Sequence, residues 1–220
     1  MKKQLHWVAA ALALLAAGTA QAQQAGSWLG RVGVTHIAPQ VDSGFLTAPS
    51  LPGTQIDIGS NTQLGGGITY MLTNNWAIDV PLATPFKHEI VGAGALAGVG
   101  KLGELRALPV TVMGQYRFGA ADAKVRPYLG AGATYAKVYH ETGTGTLSAL
   151  TGGTPTTLTA DSKLALTIQA GASFALNERW FLDAMVAKTF LKTRTTLSTG
   201  QTIDTKIDPV TLSVGVGYRF

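Results

Sequence analysis

The sequence contains no cysteine, so no disulfide staples this chain and no thiolate metal site exists in it. Charge is scarce as well. Only 13% of residues are Asp, Glu, Lys or Arg, about half the share of an ordinary soluble domain. Beyond residue 22 there is no apolar run long enough for a membrane helix, which needs about 20 residues. The basic residues are scattered and form no stripe of the kind that tracks a phosphate backbone, so nucleic acid is not an expected partner.

The first residues read as an export signal. Met1-Lys2-Lys3 is a short basic start, Leu5 to Ala17 is apolar, and Ala20-Gln21-Ala22 has the small-x-small form of a cleavage site. We expect cleavage after Ala22, which makes 1–22 a signal peptide and 23–220 one domain. Lys2 and Lys3 account for two of the five net positive charges.

What is present is alternation. Val210, Leu212, Val214, Val216, Tyr218 and Phe220 share one face of an extended segment; Thr211, Ser213, Gly215, Gly217 and Arg219 share the other. Leu108 to Phe118, Leu164 to Phe174, Leu64 to Tyr70 and Trp76 to Leu82 repeat the scheme. Trp28 to Ile37, Pro127 to Lys137 and Trp180 to Leu191 bring the total to eight. Alternate side chains of a strand point to opposite faces. The polar faces are rich in Gly, Thr, Ser and Gln rather than Lys and Glu, which suits a cramped interior better than water. The fold class expected is therefore all-β: an eight-stranded antiparallel transmembrane β-barrel in outer-membrane lipid. Strict alternation would put Lys188 on lipid, so a bulge or snorkelling is expected there.

The connections alternate in length. Leu72 to Asn75, Gly119 to Lys124 and Leu176 to Arg179 are short turns, expected on the periplasmic side. Pro39 to Asn61, Pro85 to Glu104 and His140 to Asp161 are long and Thr195 to Thr205 is intermediate; these are expected to be extracellular. Thr142 to Thr159 reads as a mobile loop. Trp28, Tyr70, Trp76, Tyr116, Phe118, Trp180, Tyr218 and Phe220 fall near the periplasmic strand ends, where an aromatic girdle is expected.

Several segments together resemble the OmpW family of small outer-membrane proteins, which includes AlkL-type alkane-uptake members. They are Gly67-Ile68-Thr69-Tyr70-Met71-Leu72-Thr73-Asn74-Asn75-Trp76-Ala77, Ala83-Thr84-Pro85-Phe86-Lys87-His88, Gln115-Tyr116-Arg117-Phe118, Arg126-Pro127-Tyr128-Leu129-Gly130-Ala131-Gly132, Asp208-Pro209 and Gly215-Val216-Gly217-Tyr218-Arg219-Phe220. One departure is Ala107-Leu108-Pro109-Val110, where the family commonly carries His-Leu-Pro-Pro. Tyr218 and the terminal Phe220 resemble the signal read by the barrel-assembly machinery, which would capture this strand by strand addition.

The resemblance implies passage of small hydrophobic molecules across the outer membrane. Geometry adds a route: access among the outer loops, then sideways exit through the wall, since Pro81 removes a ladder donor there. Phe45, Leu46, Leu51, Phe86, His88, Leu96, Val99 and Leu102 are the candidate lining residues. Arg31, Asp79, Arg117, Asp183 and Arg219 point inward and carry both signs, so they are expected to pair as a polar plug; a lining for polar solutes is the alternative. A surface barrel that contacts host or phage without transport also remains open.

Enzymatic readings have little support. No Gly-x-Ser-x-Gly elbow holds a serine, and His36, His88 and His140 match no metal-ligand spacing. Gly98-Val99-Gly100-Lys101-Leu102-Gly103 has dinucleotide-loop spacing but no following helix, and no cofactor is expected. A closed barrel has no free edge, so the sequence leaves the oligomeric state open.

Overall fold

The computed structural model describes residues 23–220; the expected signal peptide lies outside them. Eight strands close a barrel: β1 (Trp28–Ala38), β4 (Asn61–Met71), β5 (Trp76–Ala83), β7 (Lys101–Arg117), β8 (Val125–Gly143), β10 (Lys163–Ala175), β11 (Trp180–Phe190) and β14 (Val210–Arg219). Each pairs antiparallel with its neighbours in chain order, and β1 pairs with β14, so the sheet closes on itself. The Phe220 amide donates to the Trp28 carbonyl at 2.8 Å and completes that closure.

Burial runs opposite to that of a water-soluble protein. Leu164, Val214 and Leu64 are 71%, 61% and 59% exposed, while Asp79, Arg117 and Arg126 are sealed inside. Apolar surface on this scale, ringing the whole barrel, is stable only against hydrocarbon. At its lower margin the aromatic side chains touch in pairs across strands: Trp28 with Tyr70, Trp76 with Tyr116, and Trp180 with Tyr218, at 4.7 to 5.1 Å between ring centroids. Such a girdle sits where amphipathic rings meet headgroups, and it marks the end that carries Gln23 and Phe220.

The short turns lie at this end. In one, Asn177 Oδ1 accepts from the amides of Arg179 and Trp180, the Asx geometry that lets two strands reverse in few residues.

Beyond the lipid band the long connections are themselves largely folded. β7 and β8 run 17 and 19 residues, well past the 9–11 that span a bilayer. β3 (Thr54–Ile58) and β6 (Phe86–Gly94) extend the wall on the β7 side. β2 (Asp42–Ser43), β13 (Thr202–Lys206), β12 (Lys192–Leu197) and β9 (Leu158–Ala160) form a second small sheet. The segment expected to be mobile, Thr142 to Thr159, includes the short helix α1 (Gly145–Leu150), capped by Thr144, and part of β9. Leu147 and Leu158 explain the order: both are buried in one apolar cluster with Ile90, Leu96, Leu102, Leu105, Ala160 and Leu197. The pattern was hard to read because these few leucines are spread among Gly, Thr and Ser without a period.

Lys188 stands at the outer end of β11, and no bulge interrupts its pairing. Its side chain reaches along the wall instead, with Nζ 2.5 Å from the Asp208 carbonyl. Snorkelling is the arrangement adopted.

Candidate functional site

The lumen has two parts of opposite character. The lower part is a network of buried charges. Arg31 binds Asp79 through two parallel hydrogen bonds, Nη1 to Oδ1 at 2.7 Å and Nη2 to Oδ2 at 2.8 Å. Thr69 donates to Asp79 Oδ1 at 2.6 Å. Asp183 accepts from Tyr128 and Ser173, both at 3.0 Å, and its Oδ1 lies 3.9 Å from Arg31 Nε. Arg117 donates to Ser173 and lies over the Tyr128 ring at 4.7 Å. Arg219 lies 5.6 Å above the Phe181 ring. All five sequence-identified lumen charges meet in this region of the barrel.

Two further residues belong to the plug and were missed. Gln23 folds up into the barrel mouth and is fully buried. Its Oε1 accepts from Arg117 at 2.7 Å and from Arg126 at 3.2 Å. Arg126 also donates to the carbonyls of Gln23 and Asn74. The parity of Arg126 with Tyr128 on the inward face was the available signal; a strand start set at Pro127 hid it. Nothing in the sequence around Gln23 marks it.

Above the plug lies a cavity of about 150 Å³, apolar in character. Dry apolar cavities of this size hold a benzene-sized molecule. Ile37, Ile56, Ile58, Phe86, Ile90, Leu105 and Met185 are among its lining residues. Threonines line it too, and on the β7–β11 side their hydroxyls are committed to one another along the wall. Thr111, Thr134, Thr167 and Thr189 form a relay across β7, β8, β10 and β11, with oxygens 2.8, 2.6 and 2.9 Å apart. Thr35 and Ser213 pair at 3.0 Å on the other side. A hydroxyl spent sideways leaves its methyl as the group a solute would meet.

The wall beside the cavity has a seam. The ladder between β5 and β7 runs from Trp76 opposite Tyr116 to Asp79 opposite Met113, and pairing to β7 resumes only at Phe86 opposite Ala107. Val80 to Pro85 and Leu108 to Val112 pair with nothing across this seam. Pro81, Pro85 and Pro109, none of which has an N–H to donate, lie on its two lips. Inward parity also changes here: Ala77 and Asp79 face in before it, Phe86, His88 and Ile90 after it. Leu82 borders the cavity and is 51% exposed on the lipid side, so at this point a single residue stands between the cavity and the outer surface of the barrel.

The candidate lining residues divide three ways. Phe86 and His88 line the cavity. Leu96 and Leu102 are buried in the outer apolar cluster, with Leu46 packed against it. Phe45, Leu51 and Val99 are exposed at the surface and do not line the cavity. His88 Nδ1 donates to the Gly59 carbonyl at 2.8 Å, and burial pushes its pKa below the ordinary 6.5. Among the described residues no three His, Asp or Glu side chains gather closely enough to hold a metal. The Gly98 to Gly103 motif runs into the start of β7, with no helix behind it.

The OmpW family matches residues 24–220. The chain is 35% identical over 217 residues to outer membrane protein W of Vibrio cholerae, covering 96% of each chain. It is 25% identical over 197 residues, 88% of each chain, to dibenzothiophene metabolism operon protein PahQ of Pseudomonas aeruginosa. The crystal structure of outer membrane protein OprG from Pseudomonas aeruginosa superimposes with a TM-score of 0.82 at 27% identity, over 91% of this chain and 99% of that one. With its lipid-facing strands, aromatic girdle and closed eight-strand sheet, the chain belongs to the OmpW family of outer-membrane β-barrels.

Proposed function

We propose that this barrel passes small apolar molecules from the cell exterior into the outer leaflet of the outer membrane, through the cavity and out at the seam between β5 and β7. The observation that carries the reading is Leu82, which belongs both to the cavity lining and to the lipid-facing surface. An apolar solute in the cavity gains nothing by going on downward, because the Arg31–Asp79–Asp183–Ser173–Arg117 network closes the lumen with hydrogen-bonded charge. Sideways, it meets a wall in which Val80 to Pro85 have no ladder to β7. That exit carries no hydration cost, since the solute passes from one apolar surface to another. The name of one relative, from an operon for dibenzothiophene metabolism, is in keeping with an apolar aromatic cargo.

Ala83 lines the cavity at the seam. Ala83→Trp fills that passage without touching the plug. Uptake of an apolar solute by cells with equal barrel levels is expected to fall several-fold. Uptake unchanged by Ala83→Trp would remove the lateral route and favour a barrel whose role lies in its outer surface.

A further inference from the structure

One transverse row of the barrel, at the boundary between cavity and plug, has hydrogen-bonding capacity that nothing uses. Gln115 on β7 stands opposite Gly130 on β8, Gly130 stands opposite Gln169 on β10, and Gln169 stands opposite Ala187 on β11. Both glutamines are buried, Gln115 completely and Gln169 to all but 4%. Gln115 Oε1 accepts from Arg117 Nε at 3.3 Å, but its Nε2 has no partner among the described residues. Neither Nε2 nor Oε1 of Gln169 has one.

The amide of Gln169 lies over Gly130, on the side of Gln115. A Cβ placed on Gly130 would come within 2.9 Å of Gln169 Nε2 and 3.0 Å of its Cγ. Glycine therefore makes the space into which this side chain extends. Gln169 also lines the cavity, together with Met113, the inward residue of β7 next above Gln115.

The surroundings sharpen the contrast. Above the row, the wall hydroxyls from Thr111 to Thr189 are paired with each other. Below it, Arg117, Ser173 and Asp183 are joined in the plug. Buried polar atoms are as a rule satisfied, and the exceptions call for a reason. Here three exceptions fall in one row, two donors and one acceptor: Gln169 borders the floor of the apolar cavity, and Gln115 lies below Met113, just beneath that floor.

We infer that this carboxamide pair is a head-group site for apolar molecules that carry one uncharged oxygen function, a hydroxyl or a carbonyl. The inference rests on the cavity being a solute pathway. The two Nε2 groups donate to the solute oxygen, and Gln169 Oε1 accepts from a hydroxyl where there is one. The carboxamides are neutral, so the site does not repay the desolvation of an anion. The apolar body of the solute occupies the cavity above. A plain hydrocarbon fits the same space but leaves all three atoms unpaired, so the barrel discriminates in favour of the oxygenated molecule.

The test compares phenol with benzene on the full barrel in lipid nanodiscs, with empty nanodiscs correcting for partition into lipid. The side-chain amide resonances of Gln115 and Gln169 report the contact. Wild type is expected to bind phenol at least tenfold more tightly, with both amide signals shifting. Gln169→Leu, close in shape and without polar atoms, is expected to abolish the preference while benzene still binds. Gln115→Leu is expected to weaken it and serves as the second variant if Gln169→Leu does not fold. Equal binding of the two probes by wild type overturns the inference and means that the amides are served by water alone. A preference that survives in both variants also overturns it. If neither probe binds in the cavity, the pathway itself fails and this site with it.

Discussion

Arg31 on β1 and Asp79 on β5 meet inside the barrel across the intervening strand β4, joined by two hydrogen bonds of 2.7 and 2.8 Å. Asp79 is fully buried and the Arg31 side chain is only 6% exposed. A pair held this way leaves a stranded charge when one partner goes. Arg31→Ala or Asp79→Ala is expected to destabilise the folded barrel by about 3–5 kcal/mol. The double variant Arg31→Met/Asp79→Leu is expected to recover most of that loss. Thermal unfolding in detergent, followed by the gel mobility of folded and unfolded barrel, measures both. Equal damage from the double and single variants would contradict a pairwise role.

The threonine relay makes a second prediction. Thr134 Oγ1 bonds both Thr111 and Thr167, at 2.8 and 2.6 Å. Thr134→Val keeps the shape and deprives two buried hydroxyls of a partner. The expected cost is about 1–3 kcal/mol by the same unfolding measurement. A neutral effect would mean that the neighbouring hydroxyls find other partners.

The seam can be closed chemically. Continuing the β5–β7 register places Leu82 opposite Val110, and each is 51% exposed on the lipid side. The chain has no cysteine of its own. Leu82→Cys/Val110→Cys, joined by a reducible bifunctional thiol reagent, is expected to lower apolar-solute uptake several-fold, with recovery on reduction. The same crosslink introduced between β10 and β11, at Leu166→Cys/Phe190→Cys, is expected to leave uptake intact.

His88 gives a pH prediction outside the lipid band. Burial disfavours its imidazolium more than the Gly59 hydrogen bond favours it, so its pKa lies below 6.5 in the folded barrel. As pH drops below 6.5 the unfolded chain takes up a proton that the folded one resists, and stability falls. The unfolding temperature of wild type is expected to decrease from pH 7.5 to pH 5.5 by more than that of His88→Gln. A His88 ring titration midpoint at or above 6.5 by NMR would reverse the sign.

The particular residues that were legible in the sequence share one property. Leu212 and Val214 against Ser213, or Val112 against Met113, declare their sides by alternation alone. Arg31, Asp79, Arg117, Asp183 and Arg219 were recognisable as lumen charges because each sits at an inward position of a regular strand. Phe86 and His88 were harder to place. They lie past Thr84-Pro85, where the inward positions change from odd to even numbers, and a strand read as ending at Leu82 gives no reason to continue it. The outer leucines were legible only as apolar, since Leu147 and Leu158 find Leu102 and Leu197 across three separate connections.

By itself the sequence determined the eight lipid-spanning strands, their two faces, and the side of the membrane on which the short turns lie. These follow from a two-residue period and from turn chemistry, both local properties of the chain. The tertiary structure alone decided how far the β5–β7 ladder is interrupted, how Gln23 and Arg126 complete the plug, and that Gln115 and Gln169 flank Gly130. Each of those depends on the register between strands far apart in the chain, and a shift of one residue would turn every side chain concerned to the opposite face.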